Sequence, residues 1–330
     1  MRKHFLLFLY APIVLLMSSC QEEVDERPTD EMLRFNAYMQ VNHPALYELG
    51  PTESGLYHII SGTGQGEPPK EGDYVLFDYS ISNLDDQVVE TTVRHVAWLH
   101  DILSSSTNYV PAFRMYINPL NPLIKGIVEG LSLMRPGDTA TLFMPSSLAY
   151  GATSFKGFNP YTSIICTLIL HRVVPNPQEY ENELIAAYLS ANYPNISISD
   201  TINGGIYVLE LEEGKGDKLF EDGSTISVDY AGSLTNGFLF DTSIRSLAVE
   251  RGILNSQKTY APLDVVMGQE GAVIEGFMSA LRILKPEGRA KVLIPSRKGY
   301  GVSGTASIAP YAPLVFDITV TTEYSEPEEE

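Results

Sequence analysis

Thr225-Ile226-Ser227-Val228-Asp229-Tyr230-Ala231-Gly232-Ser233-Leu234-Thr235-Asn236-Gly237-Phe238-Leu239-Phe240 is the stretch on which the fold turns. Thr225 to Tyr230 is strand-like, Asn236-Gly237 is a strong hairpin turn, and Phe238-Leu239-Phe240 begins a return strand. Strands joined by so tight a turn run antiparallel. Outward from the hairpin, Ile206 to Leu211 reads as an earlier strand, and Ala290 to Pro295 and Leu314 to Thr321 as later ones. Between them Val273 to Leu284 carries a helical pattern, with Ile274, Phe277, Leu281 and Leu284 on one side, and Lys285-Pro286-Glu287-Gly288 stops it. Runs of strands with a single short helix predict an antiparallel α+β domain with the helix on one face.

The chain writes this unit twice. Ala37-Tyr38, Asn42-His43-Pro44 and Gly55-Leu56-Tyr57 return as Ala187-Tyr188, Asn192-Tyr193-Pro194 and Gly205-Ile206-Tyr207 at a shift of 150. Asp78-Tyr79-Ser80, Lys125-Gly126 and Tyr150-Gly151 return as Asp229-Tyr230-Ala231, Glu275-Gly276 and Tyr300-Gly301. A period this long means two complete domains. Each opens with a helix. In the second copy Asn176 is the N-cap, Pro177 the first helical residue and Glu179 the capping-box acid, before a stripe of Leu184, Ile185, Tyr188 and Leu189. In the first, Met32, Phe35, Tyr38 and Met39 form the stripe after Thr29-Asp30, and both helices end ahead of a Pro. Pro175-Asn176-Pro177 predicts a stiff junction.

Met1-Arg2-Lys3-His4 is positive, Phe5 to Met17 is apolar, and Ser18-Ser19 precede Cys20, the layout of a secretory signal. The apolar run is too short to span a bilayer. Its end resembles a bacterial lipobox, with Met17 where that pattern prefers Leu, and the resemblance implies cleavage before Cys20 and lipidation of its thiol. The expected divisions are a signal peptide (1–19), a tether (20–28), a first domain with its leading helix (29–174), a second (175–323) and an acidic tail (324–330). The expected location is the bacterial cell envelope, at the outer membrane, on its periplasmic or cell-surface face.

The chain has 330 residues and a formal charge of −19, which argues against nucleic acid as a partner. With Cys20 lipidated only Cys166 remains, so no intramolecular disulfide is expected. Cys166 lies in the strand-like run Thr162 to Leu170 and reads as a small core residue. All six His lie before residue 172 without ligand spacing, so neither metal nor cofactor is expected.

Six motifs in the second copy stand in the order, and near the spacings, of the FKBP-type peptidyl-prolyl cis-trans isomerases, and the chain resembles that family over about residues 203 to 323. They are Tyr230-Ala231-Gly232, Phe240-Asp241-Thr242-Ser243, Val273-Ile274-Glu275-Gly276-Phe277, Leu293-Ile294-Pro295, Tyr300-Gly301 and Ile308-Ala309-Pro310-Tyr311-Ala312-Pro313-Leu314-Val315-Phe316. A weaker match covers roughly 53 to 174. The resemblance implies two such domains, each an antiparallel sheet of five or six strands wrapped on a short helix, with an apolar pocket between. It implies that Tyr230, Phe240, Val273, Ile274, Phe277 and Phe316 surround a Pro ring, with Phe277 as a floor where the family usually has Trp. Tyr300 then offers its hydroxyl to the substrate carbonyl, Asp241 orients polar neighbours, and Ile308 lines the rim. Leu263 stands where an aromatic is common, and Thr305 or a neighbour replaces a frequent His. The implied partners are Xaa-Pro segments of unfolded or exported proteins, and macrolide-type pocket ligands. Taken singly, Phe240, Val273 and Phe316 read as core residues; only the ordered set says more.

In the first copy Tyr79 and Tyr150 remain, but Val89-Glu90 replaces Phe-Asp, Ile127 holds the floor, Cys166 replaces the strand Phe, and Phe158-Asn159-Pro160 fills the rim segment. Loss of three aromatic walls predicts a shrunken or reshaped pocket, with the first copy a scaffold or weak binder and catalysis in the second. Both copies carry an insertion expected near the pocket mouth: Arg245 to Leu254 reads as an extra helix followed by Asn255 to Pro262, and Val93 to Leu103 reads likewise in the first copy. These segments either select substrate or simply bury residues such as Leu247 and Ile253, and Trp98 reads as a packing residue. The leading functional reading is a lipid-anchored prolyl isomerase. Its rivals are a Pro-binding or chaperone module without turnover and a purely structural lipoprotein.

Overall fold

A computed structural model describes residues 25–202, 205–216 and 218–325, with side chains to residue 321. The signal segment, Cys20 and residues 326–330 of the acidic tail lie outside the described residues. The first domain runs α1 (Arg27–Asn42), α2 (Pro44–Leu49), β1 (Tyr57–Ser61), β2 (Tyr74–Asn83), β3 (Val88–Thr91), α3 (Arg94–Leu99), β4 (Ala112–Met115), α4 (Lys125–Ser132), β5 (Thr139–Met144) and β6 (Ile164–Val174). The second runs α5 (Pro177–Asn192), β7 (Tyr207–Glu212), β8 (Thr225–Leu234), β9 (Leu239–Thr242), α6 (Arg245–Glu250), β10 (Leu263–Val266), α7 (Glu275–Leu281), β11 (Arg289–Ile294) and β12 (Leu314–Ser325).

Each domain is one six-stranded antiparallel sheet. The first has the order β1-β5-β6-β2-β3 with β4 also on β2; the second has β7-β11-β12-β8-β10 with β9 also on β8. The connectivities are the same, as a duplication requires. In each, the short central helix lies against the sheet and closes a separate core: Ile127, Leu131, Leu142 and Leu168 in the first, Phe277, Leu281, Ile294 and Phe316 in the second.

Local chemistry explains most boundaries. Asn176 caps α5 by accepting the Glu179 amide at 3.3 Å, and Pro177 supplies the first helical residue. Ile185 and Leu189 are buried against Tyr207, Leu293 and Val315, each contributing roughly 1.5–3 kcal/mol. The α5 stripe is therefore the expected one, with one addition: Glu181 is fully buried at its head. In α1 the same place belongs to Glu31, and the expected stripe is corrected at Met32, which is 38% exposed. One turn of helix has room for one inward residue there, and hydrogen bonds to a carboxylate take it. α1 starts at Arg27, two residues inside the expected tether, with no side-chain cap. Pro44 does not only end α1; it starts α2, which the sequence reading did not foresee.

The Asn236-Gly237 hairpin is a three-residue loop, Thr235-Asn236-Gly237, not a two-residue one. Gly237 donates to the Leu234 carbonyl, and Leu234 to that of Phe238, both at 2.9 Å. Gly237 alone has positive φ, +82°, so the left-handed residue follows the turn. A separate shift lies farther along, where Gly232 faces Asp241 and Ser233 faces Leu239, leaving Phe240 without a direct partner. The central helix is shorter than its apolar pattern: Ile274 is its N-cap and Leu284, still buried, lies in the following turn. Both inserted helices are single short pieces whose buried residue is Ala97 or Ala248. Trp98 is 66% exposed on the outer side of α3, which corrects its reading as a packing residue. Leu247 and Ile253 are half-buried. β12 extends to Ser325, into the first residues expected as tail.

The domains touch through aromatic side chains. Tyr74 of β2 meets Tyr311 edge-on at 5.5 Å, and Phe113 of β4 packs on Tyr180 of α5 at 4.8 Å. The loop between α3 and β4 reaches across as well: Ser105 donates to the Gly252 carbonyl at 2.6 Å, and Asn108 accepts from Asn236 at 3.0 Å.

Candidate functional site

Four aromatic rings from four elements meet in the second domain. Tyr230 comes from β8, Phe240 from β9, Phe277 from α7 and Phe316 from β12. Phe316 is their hub, edge-on to Phe240 at 5.7 Å and to Phe277 at 5.3 Å, and tilted to Tyr230 at 6.3 Å. Tyr230 is itself edge-on to Phe277 at 5.9 Å, so the rings form a box and no two stack face to face. Such edge-to-face pairs set the positive edge of one ring against the negative face of the next, which fixes the four rings relative to one another. Val273 and Ile274, half-buried at the head of α7, and Ile308, 3% exposed, pack into the same cluster. The structure thus brings together every wall residue expected from the sequence.

The polar edge is equally organised. The Tyr230 hydroxyl donates to Asp241 Oδ2 at 2.7 Å. Lys258, from the second insertion, forms an ion pair with Asp241 Oδ1 and lies 3.3 Å from the Tyr230 hydroxyl. Its ammonium stands over the Tyr230 and Tyr260 rings at 5.5 and 5.6 Å. Tyr300 is 37% exposed, and among the described residues its hydroxyl has no protein hydrogen-bond partner, so it faces solvent. Thr305 accepts the Ile308 amide at 3.1 Å and shapes the rim. Leu263 lies 37% exposed on edge strand β10.

Gly232 makes the box possible. It lies in register with Phe316 on β12 and Asp241 on β9. A Cβ there would stand 2.7 Å from Phe240 and 2.8 Å from Phe316. The first domain shows the alternative. Ile81 occupies the corresponding place, in register with Cys166, and is 2% exposed. Its side chain fills the room that two Phe rings take in the second domain. Cys166 is wholly buried, as its reading as a core residue required, and burial, with a smaller effect of Glu90, raises its thiol pKa far above the usual value. Phe158 is buried in the same core, and Phe155 stacks on Tyr150 with centroids 3.9 Å apart. Lys156, beside Phe155, pairs with Glu90 at 2.8 Å, and Glu90 accepts the Tyr79 hydroxyl at 3.0 Å. In the first domain Ile81 and Phe158 thus fill the counterpart of the box from within, and the loop carrying Phe155 and Lys156 borders it.

Lys258, Gly232 and Ile81 escaped the sequence reading. Lys258 sits in an insertion, where spacing says nothing about what it reaches. The Gly232-for-Ile81 exchange was visible in the repeat, and its pairing with loss of the Phe could have been read from strand register.

Between the domains lies a cleft of about 1170 Å³. Tyr79, Glu90 and Lys156 line it from the first domain, Thr305 and Ile308 from the second. The second pocket's rim is thus also a wall of the cleft.

Burial raises the Tyr230 phenol above its ordinary value of 10.0, helped by Asp241, and raises Tyr79 and Tyr150 similarly, helped by Glu90. A raised folded-state pKa contributes stability that is complete below the unfolded value and lost as pH climbs through the folded one. The urea midpoint is therefore expected to hold up to about pH 9.5 and to fall as pH rises above about 10, where these phenols ionise in the unfolded chain but not in the folded one, so that their share of phenolate absorbance appears only with unfolding. A midpoint constant over that range would contradict these placements.

Residues 65–166 and 216–321 match the family model described as FKBP-type peptidyl-prolyl cis-trans isomerase. An FK506-binding protein of Neisseria meningitidis serogroup B is 33% identical over 122 residues, which are 98% of that protein and 37% of this chain. A probable FKBP-type peptidyl-prolyl cis-trans isomerase of Haemophilus influenzae is 35% identical over 124 residues, 44% of that protein and 37% of this chain. Among solved structures, the three FKBP domains of wheat FKBP73 match over 83% of this chain and 96% of theirs, at 18% identity and a TM-score of 0.29.

Proposed function

Because the chain belongs to the family of FKBP-type peptidyl-prolyl cis-trans isomerases, we propose that it rotates Xaa-Pro bonds in polypeptides and that its second domain does most of this work. The four-ring box around Phe316 is the observation that carries the reading. Rotation about the peptide C–N bond has a barrier of about 18–20 kcal/mol because planar resonance is lost. No bond is cleaved, so neither nucleophile nor metal is needed. The twisted amide separates less charge than the planar one, and a box that strips its water favours the twisted form. Only binding that is stronger in that geometry accelerates the step. In this reading the Pro ring sits over Phe277, Val273, Ile274 and Phe316 wall it, and Ile308 bounds the rim. Tyr300 donates to the substrate carbonyl, while Asp241, held by Tyr230 and Lys258, fixes the polar edge. The flanking polypeptide leaves over Ile308 into the interdomain cleft. The same box suits macrolide-type ligands.

The first domain, filled by Ile81 and Phe158, serves as scaffold. Exchange NMR on a short Xaa-Pro peptide with the whole chain tests the activity: faster exchange at catalytic enzyme concentration is expected, and peptide binding without acceleration would leave a Pro-recognition module.

The substrates in this reading are exported proteins, met at a bacterial outer membrane to which Cys20 is anchored by acyl chains. The positive, apolar and small-residue order of residues 2–20 supports it. Labelled fatty acid is expected to enter the protein in bacteria and to be lost in Cys20→Ser; label retained in that variant would remove the anchor from the account.

A further inference from the structure

Glu181 is a charged side chain with no exposed surface, and no part of the aromatic box needs it. Three donors converge on its carboxylate. Ser296 gives its amide to Oε1 and its hydroxyl to Oε2, the latter at 2.8 Å, and Gln178 Nε2 adds a third at 2.8 Å. Leaving a carboxylate buried is costly unless it is hydrogen-bonded in this way, so the contact is built. What it holds is the turn before Tyr300. The Ser296 carbonyl accepts the amides of Gly299 and Gly301, both at 2.8 Å, which bracket Tyr300 on either side. Glu181 therefore fixes the amide and hydroxyl of a residue whose carbonyl fixes both neighbours of Tyr300.

The first domain repeats the clamp. Glu31 accepts the Ser146 amide at 2.5 Å and the hydroxyls of Ser146 and Ser163 at 2.6 Å each. The Ser146 carbonyl accepts the Ala149 and Gly151 amides at 2.8 Å, bracketing Tyr150. The helix bearing Glu181 is also tied to the first domain by its neighbours. Tyr180 packs on Phe113 at 4.8 Å, and Glu183 pairs with Arg172 at 2.9 Å. One turn of α5 thus grips the first domain on one side and the Tyr300 turn on the other.

We propose that Glu181 is a positioning residue for isomerisation in the second domain, setting through Ser296 the place from which Tyr300 meets the substrate. The proposal rests on the reading of Tyr300 as a substrate-carbonyl donor, and a misplaced donor about 1 Å away can cost on the order of a hundredfold. The experiment uses the whole chain and compares Glu181→Gln, Glu31→Gln, Tyr300→Phe and the Glu181→Gln/Tyr300→Phe pair. Gln keeps one acceptor oxygen and nearly the same shape. Both Gln variants are expected to lower melting temperature, because the same clamp is weakened in each. Only Glu181→Gln is expected to reduce kcat/KM, by about tenfold and in kcat, and the double variant should lose little beyond Tyr300→Phe, since both changes act on one interaction. In ring-labelled tyrosine NMR the Tyr300 signal, assigned by its loss in Tyr300→Phe, should move and broaden in Glu181→Gln and stay in Glu31→Gln. Should Glu181→Gln not fold, Ser296→Ala, which keeps the amide contact, takes its place. An unmoved Tyr300 signal, or losses that multiply in the double variant, would overturn the proposal. A wild-type chain without isomerase activity but with the expected NMR shifts would overturn the function reading and leave the clamp.

Discussion

Gly232→Ile is expected to cut isomerisation by the second domain at least about a hundredfold, because the new Cβ alone stands 2.7 Å from Phe240 and 2.8 Å from Phe316. The two rings come from the strands on either side of Gly232 in the sheet, so an isoleucine there must push both out of their present places. Overpacking of this kind typically costs about 1–3 kcal/mol, which the domain can survive while the box cannot. The first domain supports that distinction. It carries Ile81 at this place and folds around it by giving up two rings, with Cys166 and Val89 in their stead. Circular dichroism and exchange NMR on the same sample separate the outcomes: native strand content with activity gone is expected, and retained activity would show that the box tolerates a filled centre.

Phe316→Ala is expected to give the largest loss of stability among the box residues. Phe316 is 4% exposed, touches the other three rings, and lies between β8 and β11 in the middle of the sheet. Truncation of a buried Phe costs about 3–5 kcal/mol, since the cavity it leaves is bounded by strands that cannot close. For a domain of this size the melting transition should fall by roughly 10 °C, at about 2–4 °C per kcal/mol. The first domain has Cys166 there and needs no ring, so its own transition should hardly move. Calorimetry of the two-domain chain reads both; a shift in the first domain's transition alone, or in neither, would contradict the assignment of Phe316 as hub.

The fold was legible because its signals are local and written twice. Asn236-Gly237 announces a hairpin, Asn176-Pro177 a helix start, and the alternation around them leaves little freedom in the sheet. Boundaries moved where a buried or capping contact, invisible to periodicity, took over, as with Ile274 capping a helix shorter than its apolar stripe. The box was legible as an ordered set, although Phe240 or Phe316 alone reads as core. What escaped were contacts made by long-range geometry. Lys258 reaches Asp241 from an insertion, and Trp98, expected to pack, faces solvent because Ala97 is the residue its short helix buries. Glu181 is a middle case: a charge at the head of an apolar stripe, repeated as Glu31, was on the page as a pattern without a partner. Ser296 supplies the partner, and only the fold brings it there.

The most direct test of catalysis in the second domain compares two matched variants of the whole chain by exchange NMR on one Xaa-Pro peptide. Phe240→Ala/Asp241→Ala should abolish the acceleration, and Val89→Ala/Glu90→Ala should leave it within about twofold, since the loss of a wall matters only where a pocket is open. Acceleration that survives the first pair and disappears with the second would place the active pocket in the first domain and contradict the account.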